Sequence, residues 1–164
     1  MDNELLKVGI ADMAVTKTAE GIITYALGSC IGICLYDPST KIVGMVHIML
    51  PKPSNNMPAD NIAKYADTGI PELIKRMEQT GAAKARLVAK IAGGAKMFNM
   101  LGSGGSMIGD IGSRNTEMVK SILTAQRIRL LGEDCGADYA RTMSISRESG
   151  EVCIKTYGKG EKIL

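Results

Sequence analysis

Along the first fifty residues, apolar positions come in short runs broken by turn chemistry, the pattern of strands rather than of long helices. Residues 6–15 form an apolar run with Gly9 inside it, and a polar stretch follows at 16–20. Residues 21–24 are a second short strand, ended by a loop at 25–29. Two longer strands are predicted over 30–36 and 41–50, separated by Asp37-Pro38-Ser39-Thr40, the composition of a tight turn. Pro51, Pro53 and Pro58 then exclude a central strand. From about 60 to 80 the period changes. Ile62, Ala66, Ile70, Leu73 and Met77 keep a three-to-four spacing that predicts an amphipathic helix closed by Gly81, with Pro71 as the place where it kinks or divides. A buried strand over 85–92 runs into Gly93-Gly94. One helical turn is predicted at 96–101, before a mobile loop over 102–106. A second helix is predicted at 114–126, with Met118, Ile122 and Ala125 inward and Ser113 or Asn115 as its cap. Strands at 130–133, 141–146 and 152–157 close the chain, the last two joined by a Ser149-Gly150 turn. Strands, then helix–strand–helix, then strands again predict an α+β fold, not a doubly wound α/β one.

Composition narrows this little. The 164 residues suit a single domain over 1–164, large enough to bury a core without a staple. With no Trp and one Phe, eleven Met and the β-branched residues must fill that core. A net charge of +3 without basic runs, and almost no aromatic platforms, argues against a nucleic-acid partner. The start Met1-Asp2-Asn3-Glu4 lacks a signal peptide's features, and no apolar run reaches a membrane-spanning length. Cys30, Cys34, Cys135 and Cys153 therefore read as reduced thiols of a cytoplasmic protein.

Few residues can carry chemistry. His47 is the only histidine, so any imidazole base must be this one. Alternation puts it on one strand face with Val43, Met45 and Met49. A four-residue hairpin loop at 37–40 pairs Tyr36 with Lys41 and sets Cys30 directly opposite His47, with Cβ atoms about 4.5–5.5 Å apart. A three-residue loop instead opposes Cys30 to Ile48 and sends thiol and imidazole to opposite faces. Turn chemistry favours the first register. A thiol beside an imidazole is a nucleophile with its base, which lowers the thiol's pKa and yields thiolate. The flanking Gly28-Ser29-Cys30-Ile31-Gly32 lets the backbone turn and present N–H groups, with Gly28 and Ser29 as oxyanion or positioning candidates. The competing reading makes Cys30 a small core residue and His47 a hydrogen-bonded strand histidine. Cys34 shares the parity of Cys30 but reads as core. Without a C-x-x-C pair there is no expectation of metal, and residues 102–107 lack the full phosphate or dinucleotide fingerprints, so no cofactor is expected.

Thr24-Tyr25-Ala26-Leu27-Gly28-Ser29-Cys30 and Val46-His47-Ile48-Met49-Leu50-Pro51 closely resemble segments of the chemoreceptor glutamine deamidases of bacterial chemotaxis, the CheD family. The likeness continues through Lys64-Tyr65-Ala66-Asp67, Lys90-Ile91-Ala92-Gly93-Gly94-Ala95-Lys96-Met97-Phe98, Ile111-Gly112-Ser113-Arg114-Asn115 and Gly132-Glu133-Asp134-Cys135-Gly136. It spans nearly the whole chain in order. Departures, such as Cys135 and the Gly/Ser-rich 102–106, lie outside the catalytic segments. The resemblance implies a layered mixed β-sandwich with helices packed outside, like that of cysteine-dependent deamidating toxins. It implies Cys30 as nucleophile, His47 as base and Thr24 as the residue orienting the imidazole. The implied reaction is hydrolysis of glutamine side-chain amides in methyl-accepting receptors through a thioester; some members also cleave receptor methyl esters. The implied partners are those receptors and the phosphatase CheC, which it would stimulate. The alternative function is an adaptor that binds receptors and CheC with its chemistry little used. Phe98, Met97 and Met100, beside the glycine-rich loop, are the candidate partner-binding residues, against the simpler reading that Phe98 packs in the core.

Overall fold

A computed structural model describes residues 4–54, 57–97 and 111–164. Ten strands and two helices follow in the order β1 (Leu5–Val8), β2 (Asp12–Thr16), β3 (Gly21–Leu27), β4 (Ile31–Asp37), β5 (Ile42–Ile48), α1 (Ala66–Thr80), β6 (Val88–Gly93), α2 (Ile111–Ala125), β7 (Arg129–Cys135), β8 (Arg141–Ser146), β9 (Val152–Thr156) and β10 (Gly160–Ile163). The strands form two five-stranded mixed sheets, ordered β1-β3-β8-β9-β10 and β2-β5-β4-β6-β7. The α+β class holds, and the two sheets pack as a sandwich.

Two apolar clusters make this a three-layer arrangement. Ile31, Ile33 and Leu35 of β4 and Val46 and Ile48 of β5 pack against Ile70, Leu73 and Met77 of α1 and Val119 and Leu123 of α2. From the opposite faces of the same strands, Cys34, Val43 and Met45 pack against Ile22, Met143, Ile145 and Ile154 of the other sheet. β4 and β5 are thus covered on both sides, which is why they read as nearly continuous apolar runs. All seven residues of β5 are buried. At Gly44 the helix comes so close that a Cβ would lie 2.7 Å from Met77 Sδ.

Several boundaries differ from the pattern-based expectation, each for a physical reason. The run 6–15 is two strands in different sheets, because Ala11 takes a left-handed φ of 58° and turns the chain between them. Pro71 does not divide α1, which runs unbroken from Ala66 to Thr80. The break falls earlier, at Tyr65, whose extended backbone separates a 3-10 turn at Ile62–Lys64 from the helix. The second helix already runs from Ile111, so Asn115 lies inside it and is no cap. Its inward residues are Gly112, Asn115, Val119 and Leu123, with Met118 and Ile122 flanking and Ala125 exposed. β10, all four residues exposed, escaped the pattern for want of an apolar face. Phe98, Met100 and the 102–106 stretch lie outside the described residues.

The β4–β5 hairpin decides the site. Its turn comprises residues 38–41, one position later than expected, and pairs Asp37 with Ile42 and Gly32 with His47. Asp37 is held in the ladder because its carboxylate is buried and fully engaged. It accepts from Arg86 Nε (2.9 Å) and Nη2 (2.8 Å), from the Ala83 N–H (2.9 Å) and from the Ser39 N–H (3.0 Å). Lys41, with φ of 59°, closes the turn by donating its N–H to Asp37 O at 2.7 Å. Burial alone would raise the Asp37 pKa; Arg86 and the two N–H donors outweigh it and hold the carboxyl well below its ordinary range.

Replacing Asp37 by Asn should therefore cost about 2–3 kcal/mol at pH 7, as expected for hydrogen bonds to a charged group. The cost stays below that of breaking a fully buried pair because the Arg86 side chain is 42% exposed. A carboxyl whose folded pKa is depressed stabilises fully above its unfolded value, and the contribution fades as pH falls below about 4. Urea unfolding of both proteins should show the gap at pH 7 narrowing in acid. Equal midpoints at pH 7 would remove this cluster from the account of stability.

Candidate functional site

His47 faces the inter-sheet layer from β5, as alternation predicts, and is fully buried. A buried imidazole needs partners, and it finds one on the opposite sheet. Thr24 Oγ1 on β3 lies 2.7 Å from His47 Nδ1 and donates its own hydrogen to Val8 O, also at 2.7 Å. A hydroxyl whose hydrogen is engaged can only accept from the ring. Nδ1 therefore carries the proton, and Nε2 is left with its lone pair. Among the described residues Nε2 is buried and has no hydrogen-bond partner. It is a free base.

The thiol lies in the same inter-sheet layer but not where the predicted register put it. Gly32, not Cys30, pairs with His47. Cys30 precedes β4 in a bend at 28–30 and packs against the same inter-sheet cluster as Cys34, Val43 and Met45. Thiol and imidazole thus share a face, with Cys30 diagonal to His47. Directly opposite the imidazole sits a residue with no side chain, and a Cβ there would meet Met143 Sδ at 2.9 Å. Thr24 joins them by alternation, on the inward face of β3 with Ile22, and the irregularity that follows, where Ala26 takes a φ of 59°, brings Leu27 back to that face.

The bend carrying Cys30 is held by its carbonyls. Gly28 O accepts from the Ala95 N–H (2.8 Å) and Cys30 O from the Gly94 N–H (2.9 Å). Gly93, with φ of 117°, lets β6 approach so closely that a Cβ would fall 2.1 Å from Cys30 O. The third carbonyl, Ser29 O, accepts from Nδ2 of Asn115 at 2.9 Å. Gly28 cannot serve as an oxyanion donor through its own N–H, which is engaged by Ala26 O at 3.0 Å. Among the described residues the N–H groups of Ser29 and Cys30 donate to no main-chain carbonyl. Of the two, the Cys30 N–H belongs to the same residue as the thiol, whose pKa it acts to lower.

Burial sets the charge state of the pair. It raises the Cys30 pKa, and the thiol's contact with its own N–H only partly opposes this. It also lowers the His47 pKa to about 4. The resting site holds a neutral thiol and a neutral imidazole. In that resting state the imidazole does not hold the proton of a pre-formed thiolate. Of the other thiols, Cys34 lies on the same face of β4, two residues beyond Gly32 as Cys30 is two before it. Cys34 is buried in the sandwich core and its pKa is driven up by burial, while burial pushes Cys135 up to about 11. Met97 is partly exposed and packs over Gly28, where a Cβ would lie 3.2 Å from its Cγ; its companions Phe98 and Met100 are not among the described residues. Asn115 was read from sequence only as a helix cap. Nothing in a single polar residue on an amphipathic stripe distinguishes a cap from a buried clamp.

A family model described as CheD chemotactic sensory transduction matches residues 49–156, beginning just past His47. Full-length relatives extend over the segment holding Thr24, Cys30 and His47. The chain is 49% identical over 159 residues to a probable chemoreceptor glutamine deamidase CheD of Lachnoclostridium phytofermentans, covering 97% of this chain and 98% of the relative. Proteins of the same name from Syntrophomonas wolfei (47% over 162 residues, 99% of both chains) and Clostridium novyi (48% over 164 residues, 100% of both) are similar to it as well.

The desolvated imidazole makes a testable demand on stability. With a folded pKa of about 4 against an ordinary 6.5, His47 binds a proton more readily in the unfolded chain. Stability should therefore fall as pH drops from 6.5 towards 4, and His47→Gln should remove that part of the slope. Urea unfolding of both proteins across this window measures the difference. Parallel curves would mean that the ring is solvated.

Proposed function

The chain belongs to the CheD family, and on that premise we propose that it hydrolyses glutamine side-chain amides of chemoreceptors to glutamate and ammonia, with Cys30 as nucleophile. The observation that carries this reading is the Thr24-held His47, its Nε2 free and buried on the face it shares with Cys30. Cys30 Sγ attacks the carboxamide carbon as its proton passes to Nε2. The developing oxyanion is met by the Cys30 N–H. His47 then returns the proton to the amide nitrogen, ammonia leaves, and a thioester remains. Water, deprotonated by the same imidazole, cleaves the thioester to glutamate and restores the thiol.

The names of the full-length relatives support receptors as substrate, and sequence resemblance alone supports three finer points. These are the partnership with CheC, the likeness to cysteine-dependent deamidating toxins and the cytoplasmic address. Coverage of 97–100% in both directions supports a single functional unit over 1–164. Among the described residues no helix is long and apolar enough to cross a membrane. The intact Thr24, Cys30 and His47 set favours catalysis over a purely adaptor role.

Incubating a purified receptor cytoplasmic fragment with the protein should add about one mass unit per converted glutamine and release ammonia. Folded Cys30→Ala should do neither, whereas Cys34→Ala should keep most of the activity. Activity retained by Cys30→Ala, or lost equally in Cys34→Ala, would refute the assignment of the nucleophile. Thr24→Val should lower kcat by about 10²-fold, the lower end of what positioned acid–base catalysis contributes, since the imidazole loses its fixed tautomer. An unchanged kcat would show that the bridging bond does not orient the base.

A further inference from the structure

Asn115 is a fully buried polar residue in the middle of α2, inside an otherwise apolar helix face. Its side-chain nitrogen makes two hydrogen bonds of 2.9 Å, to Ser29 O and to Met49 O. Both acceptors are carbonyls, so the NH₂ group must face them and the carboxamide has only one orientation. Its Oδ1 is then turned into the protein, where among the described residues it is buried without a partner. A residue retained only to fasten a helix would not be expected to carry an orphaned buried acceptor. What the two donated bonds join is the point. Ser29 immediately precedes the nucleophile, and Met49 lies two residues beyond the base.

We infer that Asn115 is a positioning residue of the deamidase proposed above, on which this reading rests. It clamps the nucleophile's bend to the end of the strand bearing the base, and so fixes how the thiol and Nε2 meet. It also aims the oxyanion donor. The Ser29–Cys30 peptide is trans, so its C=O and N–H point to opposite sides. Holding Ser29 O against Asn115 turns the Cys30 N–H to the other side of the peptide, away from Asn115. Asn115 touches neither substrate nor the reacting atoms. It acts through the two peptide groups.

Two variants test this. Asn115→Asp keeps the shape and removes both donors, and Asn115→Ser removes the reach. In each, kcat for receptor deamidation should fall by about 10²-fold, the scale of a misplaced catalytic group, with KM within about threefold of wild type. The pH profile of Cys30 alkylation by iodoacetamide, read by peptide mapping, should move to higher pH, because a loosened bend weakens the contact with its own N–H that lowers the thiol's pKa. A merely structural role would lower the melting temperature and leave that profile in place. Folded variants with wild-type kcat and an unmoved profile overturn the inference alone. Loss of the fold in both variants assigns Asn115 to stability and overturns it as well. Full activity in Cys30→Ala, run alongside, overturns the underlying reading and the inference with it.

Discussion

The hydrogen bond from His47 Nδ1 to Thr24 Oγ1 is the contact on which the site depends, because its two halves come from different sheets. Neither sheet could satisfy its own polar group. In the open sandwich the imidazole would be solvated and Thr24 would have water; in the closed one each is fully buried and must find the other. The chain of donation runs from imidazole to hydroxyl to the Val8 carbonyl of β1, ending in backbone that cannot rotate away. This fixes more than a ring angle. It selects the tautomer, and with it the nitrogen left as a base, before any substrate arrives. Packing of the two sheets and readiness of the base are a single event.

How much of this was legible in the sequence depends on the range of the interaction that decided it. The class and most strands followed from local period, and the face of β5 carrying His47 followed from alternation. The register did not. Turn residues 37–40 fit a tight loop on composition, but Asp37 is drawn into the ladder by Arg86 and Ala83, which lie far along the chain. No local reading of Asp-Pro-Ser-Thr contains that pull. The shift is two positions in pairing, so it preserved the face while changing the partner, and Cys30 stayed on the imidazole's side. A one-position shift would have separated them. Thr24 entered through family resemblance, since a threonine beside a strand end has no signature of its own. Asn115 went unread for the same reason: its meaning lies in two carbonyls, one 86 and one 66 residues away.

The burial that makes the base available also removes the thiolate. An exposed Cys–His pair can rest as an ion pair; here burial penalises both charges, raising the thiol and lowering the imidazole. Resting neutrality has a consequence for selectivity. The thiolate is the form that oxidants and electrophiles attack, so a protonated Cys30 reacts slowly with anything that cannot place a carbonyl in reach. On the proposed mechanism, reaction then waits for a bound amide, and the thiol is spared modification in passing.

This places the demand on geometry instead of on acidity. If sulfur is deprotonated only as it attacks, then thiol, Nε2 and the carboxamide carbon must be aligned at the same moment, and the emerging oxyanion must meet a donor already in place. The bend at 28–30 answers that demand. Its three consecutive carbonyls are each tied down, by Ala95, Asn115 and Gly94. With every carbonyl committed to the scaffold, the loop has little freedom to rotate its peptide planes, and the direction of the Cys30 N–H is fixed with them. Gly93 and Gly94, at φ values of 117° and 67°, let the strand end come close enough to make two of those ties. The rigidity needed by a neutral nucleophile is thus supplied by main-chain hydrogen bonds and one buried carboxamide. None of these groups needs to change charge during the reaction, so the frame can stay fixed while the proton moves.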